Sequence, residues 1–148
     1  MKKLVRKLAA GTGPTGRDLA SLLLRLGFGL SMALTHGRAT WHGLRSGGAA
    51  GFPDPLGIGP ELSMLLMALA ELPCALLVAV GLGTRLAAVP LVVGLGVAFF
   101  VFHHGDPFDH KELAFLYLCA FSTLLVLGPG RYSLDYLLVR STGEEEER

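Results

Sequence analysis

The sequence predicts an all-α integral membrane protein, a bundle of four transmembrane helices followed by a short amphipathic C-terminal segment. Of its 148 residues, 51% are hydrophobic and 17% are charged. The mean hydropathy is +0.53, which is too apolar for an ordinary soluble domain. Four apolar runs are also each about long enough to cross a bilayer as a helix. Four such helices in succession leave no polar face for water, so lipid is the expected solvent.

The apolar runs place the helices within a single membrane domain that covers residues 1–148. They are expected over residues 19–38, 61–82, 85–103 and 111–128. Only Gly81 to Arg85 connects the second run to the third, which predicts a tight antiparallel hairpin with glycines in the turn. The connection from Gly37 to Pro60 is rich in glycine and proline and is expected to be ordered rather than helical.

The chain after the fourth helix has a different character. Gly128, Pro129 and Gly130 are strong helix-ending residues. Residues 133–140 are then expected to form a short amphipathic segment that lies along the membrane surface. An acidic tail follows over residues 144–148.

The distribution of lysine and arginine predicts the orientation, because positively charged loops are retained on the cytoplasmic side. Four spans place both termini on one face of the membrane, and most of the cationic residues fall on that face. They are Lys2, Lys3, Arg6, Lys7, Arg17, Arg85, Arg131, Arg140 and Arg148, against Arg38, Arg45 and Lys111 on the other face. We therefore expect a multi-pass protein of the plasma (inner) membrane with both termini in the cytoplasm.

Two ionisable residues, Arg25 and Glu71, lie inside predicted spans. A charge at the centre of a membrane helix costs roughly 2.5–3.5 kcal/mol on insertion scales, so each needs an explanation. Counting inward from the outer loop places Arg25 opposite residues 71–74, which predicts that the two form a buried ion pair. Such a pair either fixes the helix register or forms a polar pocket for a quinone headgroup or another small polar ligand.

The residues around Glu71 add to this candidate site. Pro73 cannot donate a hydrogen bond to the carbonyl four residues back, so a kink is expected beside Glu71. Cys74 follows, either as a local redox group or as a small apolar residue. The ligand-binding interpretation therefore includes Arg25, Glu71 and Cys74.

A second group of polar residues collects near the outer face once this topology is accepted. Imidazoles and carboxylates together can relay protons or hold a transition metal. No fixed metal-ligand spacing is present, so no metal site is predicted, and polar solvation at the interface is the alternative. The residues expected to converge there are His36, Glu61, His103, His104, Asp106 and Glu112.

Several function classes lack their motifs in this sequence. There is no Gly-rich phosphate loop, no Cys-x-x-Cys pair and no Ser-centred nucleophile elbow. An enzyme driven by ATP or by thiol exchange is therefore not expected. Neither run of charges, basic at the start or acidic at the end, indicates nucleic-acid binding.

Five segments, taken in order, resemble the DoxX family of small bacterial and archaeal membrane proteins. They are Phe52 to Glu61, Ala70-Glu71, Gly83 to Ala87, Lys111 to Ala114 and Gly128 to Asp135. The resemblance implies a four-helix membrane bundle. It also links the chain to relatives of the quinone-reducing membrane subunit of thiosulfate oxidation and to membrane-bound oxidoreductase complexes. It supplies no catalytic residues.

The leading hypothesis is an accessory membrane subunit of a quinone-linked redox system, with a quinone as the candidate ligand. Its expected partners are the lipid bilayer and a soluble or peripheral redox protein, with a homo-oligomer left open and no nucleic acid. Whether the chain itself is an enzyme is also left open. The alternatives are a non-catalytic membrane scaffold or lipid-associated protein, and a small oligomeric transporter.

Overall fold

The computed structural model of the protein describes residues 13–146, with the side chains of residues 13–141. The basic residues at positions 2, 3, 6 and 7 and the last two residues of the acidic tail lie outside the described residues. Five helices make up most of the described chain. They are α1 (Pro14–Arg45), α2 (Pro60–Val80), α3 (Thr84–Phe102), α4 (Phe108–Leu127) and α5 (Leu134–Glu146).

The surface of the bundle confirms the predicted fold class. Within residues 13–146 there is no strand, and α1 to α4 are long and apolar enough to cross a membrane. Large apolar side chains point outward all around the bundle, with Leu86 and Val126 each 80% exposed. Alanines contribute much of the interior, as is usual where membrane helices pack closely. The chain is therefore a four-helix membrane bundle.

The first helix is longer than its apolar run indicated. α1 continues to Arg45, so the connection that was expected to begin at Gly37 begins at Ser46. Gly37 lies inside the helix and does not end it. A Cβ atom added there would meet the backbone carbonyl of Glu71 in α2, so only glycine fits at this position. The glycine lets two helix backbones approach closely, a role that its sequence context did not distinguish from a helix stop.

The loop from Ser46 to Gly59 is anchored to α2 by one carboxylate. Asp54 accepts hydrogen bonds from the Ser63 hydroxyl at 2.8 Å, the Gly59 amide at 2.8 Å and the Ile58 amide at 3.0 Å. These donors favour the ionised form, the Ser63 hydroxyl most, and hold the pKa of Asp54 below its usual value. The carboxylate thereby fixes where the loop joins the start of α2.

The opposite face of the bundle carries the turn between α2 and α3 at Gly81–Gly83. We call this side the hairpin face, and the side with the Ser46–Gly59 loop the loop face. The Ser21 hydroxyl near the start of α1 donates to the Gly128 carbonyl at 2.7 Å, and the Asp135 amide of α5 donates to the Gly81 carbonyl at 2.9 Å. Both ends of the described chain therefore meet at the hairpin face.

The predicted amphipathic segment forms most of α5. This helix starts at Leu134, one residue after the expected start, and exposes Leu137, Leu138 and Val139. Apolar side chains exposed next to the end of a membrane bundle suit a helix that lies in the bilayer interface.

Candidate functional site

Arg25 is buried near the hairpin face, with 1% of its surface exposed. Its Nη1 donates to the Ala79 carbonyl at 3.1 Å, and its Nη2 donates to the Tyr132 carbonyl at 2.6 Å. Glu71 is not its partner. The predicted ion pair between Arg25 and Glu71 is therefore wrong. The arginine instead joins α1 to the end of α2 and to the segment between α4 and α5.

The length of α1 explains this error. Gly37 lies against Glu71, and Arg25 is twelve positions before Gly37, which is about 18 Å along a helix at 1.5 Å per residue. The predicted register assumes that the first helix ends near residue 38. Because α1 actually ends at Arg45, every α1 residue lies opposite a later part of α2 than expected.

The carboxylate whose charge acts on Arg25 is Asp135 in α5. Asp135 accepts hydrogen bonds from the Gly83 amide at 2.7 Å and the Thr84 amide at 3.1 Å, so it caps the start of α3. Arg25 thus bonds the end of α2, and Asp135 bonds the start of α3. This arrangement stabilises the hairpin face, and Arg25 as a ligand-binding residue stays a prediction.

Glu71 lies in a different polar cluster, within the spanning part of the bundle. Its carboxylate accepts a hydrogen bond of 2.6 Å from the Thr40 hydroxyl, and His36 is close enough to act on it electrostatically. The glutamate is 7% exposed. Thr40 and His36 share one side of α1, so Glu71 faces two polar side chains of the neighbouring helix.

Tyr117 connects this cluster to α4. Its hydroxyl shares a hydrogen bond of 2.6 Å with the Ser31 hydroxyl, and its ring meets the His36 ring edge to face with centroids 5.7 Å apart. We call Ser31, His36, Thr40, Glu71 and Tyr117 the Glu71 cluster. It brings together groups that donate, accept and exchange protons from three membrane helices.

The helices are locally widened where they carry this cluster. π-helical turns run over Ala33–Gly37 in α1 and over Ala70–Cys74 in α2, the second around Pro73. Two further π-helical turns, Arg25–Gly29 in α1 and Ala98–Phe102 in α3, carry none of the cluster residues. Such turns leave backbone carbonyls less regularly bonded and often occur at functional sites. Cys74 is a free, half-buried cysteine that packs against the apolar core. As a ligand-binding residue it stays a prediction.

Of the other predicted residues, His103 and Asp106 are in contact at the loop face, and a site that joins all of them stays a prediction. His103 Nδ1 bonds Asp106 at 2.6 Å, which holds the pKa of Asp106 below its usual value, whereas His36 lies with Glu71. Glu61, His104 and Glu112 are exposed. Among the residues that the structure describes, no three His, Cys, Asp or Glu side chains are close enough to hold a metal ion.

Comparison with known families decides the kind of protein. Residues 20–104 match the family model described as DoxX. The chain belongs to the DoxX family. No curated protein and no solved structure matches it.

The DoxX match covers α1 from Ala20, all of α2 and all of α3, so it includes Arg25, His36 and Glu71. Tyr117 and Asp135 lie beyond it, as do the segments 111–114 and 128–135 that also resembled DoxX proteins. Sequence reasoning missed Ser31, Thr40 and Tyr117. In the sequence, these residues differ from their neighbours only in carrying a hydroxyl within or next to an apolar run. Many such hydroxyls bond the backbone of their own helix, so the hydroxyl alone does not indicate a site.

Proposed function

We propose that this DoxX protein is the membrane subunit of a quinone-linked redox system and that it holds a quinone headgroup at the Glu71 cluster. One observation carries the proposal: Glu71 is a buried carboxyl group in a spanning helix, and within the described residues it has no lysine or arginine within ion-pairing distance. An intramembrane carboxyl group is costly and is usually retained for a function. Without a cation, this one does not serve as a register-fixing ion pair.

The chemistry of the cluster suits a quinone. Quinone carbonyls accept hydrogen bonds, and His36 and Tyr117 supply donors on two helices. Reduction of a quinone to a quinol takes up two electrons and two protons. In this proposal Glu71 and His36 donate the two protons to the quinone oxygens, and a peripheral redox partner supplies the two electrons.

The test uses the single tryptophan of the chain. Trp41 is the neighbour of Thr40 in α1, so a bound quinone is expected to quench its fluorescence. The purified protein in mild detergent is titrated with a short-chain benzoquinone and a short-chain naphthoquinone. We expect saturable quenching in the wild type and at least tenfold weaker binding in Glu71→Gln and in Tyr117→Phe.

Two exposed residues provide matched controls. Asp109→Asn removes a carboxylate at the loop face, and Tyr132→Phe removes a phenol hydroxyl at the hairpin face, so both should bind quinone as the wild type does. If Glu71→Gln and Tyr117→Phe also bind normally, or if the wild type shows no saturable quenching, the proposal fails. The scaffold alternative would then be favoured, with the Glu71 cluster serving only to order the bundle.

A further inference from the structure

The loop-face end of α1 carries an uncompensated cationic face. Arg38, His42 and Arg45 lie at spacings of four and three residues, so they share one side of the helix. All three side chains are exposed. Within the described residues, neither arginine has a carboxylate within ion-pairing distance or a side-chain hydrogen bond. Like charges at this spacing repel one another, and an anion between them would relieve that repulsion.

This cationic face lines an open groove between α1 and α2. The groove has a volume of about 430 Å³ and is bordered by Arg38, Trp41, His42, Arg45, Ser46 and Leu72. Guanidinium groups bind phosphate oxygens through two parallel hydrogen bonds. Two arginines, an imidazole and an indole around one opening therefore form a suitable receptor for a phosphate ester.

The depth of the groove in the bundle selects the membrane as the source of that phosphate. Gly37 contacts Glu71 midway along α2, and Gly43 lies against Met64 near the start of α2. The groove therefore lies along the loop-face half of a spanning helix. Long arginine side chains at such a depth extend toward the headgroup layer, and tryptophan prefers the same layer.

An apolar surface continues from the groove toward the middle of the membrane. Leu34 and Leu30 lie four and eight residues before Arg38 on α1, and Leu76 lies four residues after Leu72 on α2. Leu34 is 64% exposed, and Leu30 and Leu76 are also exposed. A cationic end followed by an exposed apolar stripe matches the shape of a phospholipid, with its headgroup at the loop face and its acyl chains along α1 and α2.

We propose that this groove binds the phosphodiester headgroup of an anionic glycerophospholipid from the leaflet at the loop face. Arg38 and Arg45 hold the phosphate, Trp41 packs at the headgroup level, and the leucines contact the acyl chains. The site is separate from the Glu71 cluster and does not depend on quinone binding.

The test counts bound lipid by native mass spectrometry of the protein released from mild detergent. Phosphatidylglycerol, phosphatidylcholine and inorganic phosphate serve as probes. We expect at least a fivefold preference of the wild type for phosphatidylglycerol over phosphatidylcholine. Millimolar inorganic phosphate is expected not to displace the lipid, because it lacks acyl chains.

The double variant Arg38→Gln/Arg45→Gln is expected to lose this preference. Arg17→Gln/Arg131→Gln removes two exposed arginines from the hairpin face and should retain it. Equal binding of the two lipids by the wild type would overturn the proposal, and so would an unchanged preference in the Arg38/Arg45 variant. Displacement by inorganic phosphate would also overturn it, since the site would then bind a free anion. The wild-type measurements decide the matter even if a variant does not fold.

Discussion

At the scale of single residues, the two ionisable groups inside the membrane have unrelated environments. The guanidinium of Arg25 donates to the main-chain carbonyls of Ala79 and Tyr132, so its hydrogen bonds connect segments that are distant in sequence. Its Nε has no hydrogen-bond partner among the described residues. Glu71 instead bonds one hydroxyl of a neighbouring helix. The first arrangement is structural, and the second leaves a carboxyl group available for chemistry.

Replacing Arg25 should therefore destabilise the protein. Arg25→Met keeps much of the volume but leaves the Ala79 and Tyr132 carbonyls without their charged donor. Hydrogen bonds to charged groups contribute roughly 1.5–3 kcal/mol each, so we expect a loss of about 3 kcal/mol in the free energy of unfolding. Thermal unfolding of the purified protein in detergent measures this change.

Arg17→Met is the matched control, because Arg17 is an exposed arginine of the same helix. It should unfold at the wild-type temperature. An Arg25→Met protein that is as stable as the Arg17→Met protein would contradict the structural role of the buried guanidinium.

At the scale of helices, the contact between α1 and α2 depends on small residues. Gly37 brings α1 against the backbone of Glu71, and Gly29 lies close to Ala75 and Ala79. Close backbone approach is how membrane helices gain packing energy where lipid removes much of the hydrophobic driving force. The same contact sets the distance between Thr40 and Glu71.

Gly37→Ala should weaken this helix pair. The new Cβ would meet the Glu71 carbonyl, so the helices must separate, and overpacking of this kind costs typically about 1–3 kcal/mol. We also expect weaker quinone quenching of Trp41, since the Glu71 cluster would be widened. Thermal unfolding and the fluorescence titration measure the two effects.

Gly27→Ala tests whether this result is specific to the contact. A Cβ at Gly27 has open space around it, and alanine is about 1 kcal/mol more favourable than glycine inside a helix. This variant should be at least as stable as the wild type. Equal destabilisation by both substitutions would contradict the proposed close contact at Gly37.

At the scale of the whole molecule, the bundle has two chemically different ends. The hairpin face is held by Ser21, Asp135 and Arg25, which join the start of α1, the α2–α3 turn and the chain after α4. The loop face carries the Ser46–Gly59 loop and the cationic groove. We propose that the hairpin face is cytoplasmic, on the basis of its lysine and arginine content.

Labelling with a membrane-impermeant maleimide tests this orientation. In a background of Cys74→Ala and Cys119→Ala, the loop-face variant Ala50→Cys should be labelled in intact cells. The hairpin-face variant Arg131→Cys should be labelled only after the membrane is opened. Labelling of both positions, or of Arg131→Cys alone, in intact cells would contradict the proposed orientation.

The sequence alone determined the solvent, the helical class, the number of spans and the α2–α3 hairpin. These properties follow from local composition, because hydropathy over about twenty residues reports the free energy of placing a helix in lipid. The cost of an isolated charge in lipid also identified Arg25 and Glu71 as residues that need partners.

Only the tertiary structure decided which partners they have. A contact between two helices depends on their register, and extending α1 from residue 38 to Arg45 shifts that register by about 10 Å. That shift separates Arg25 from Glu71, places Arg25 against the Ala79 and Tyr132 carbonyls, and gives Glu71 its contact with Thr40. Tyr117 enters the cluster through packing between α1 and α4, which no local pattern in the sequence encodes.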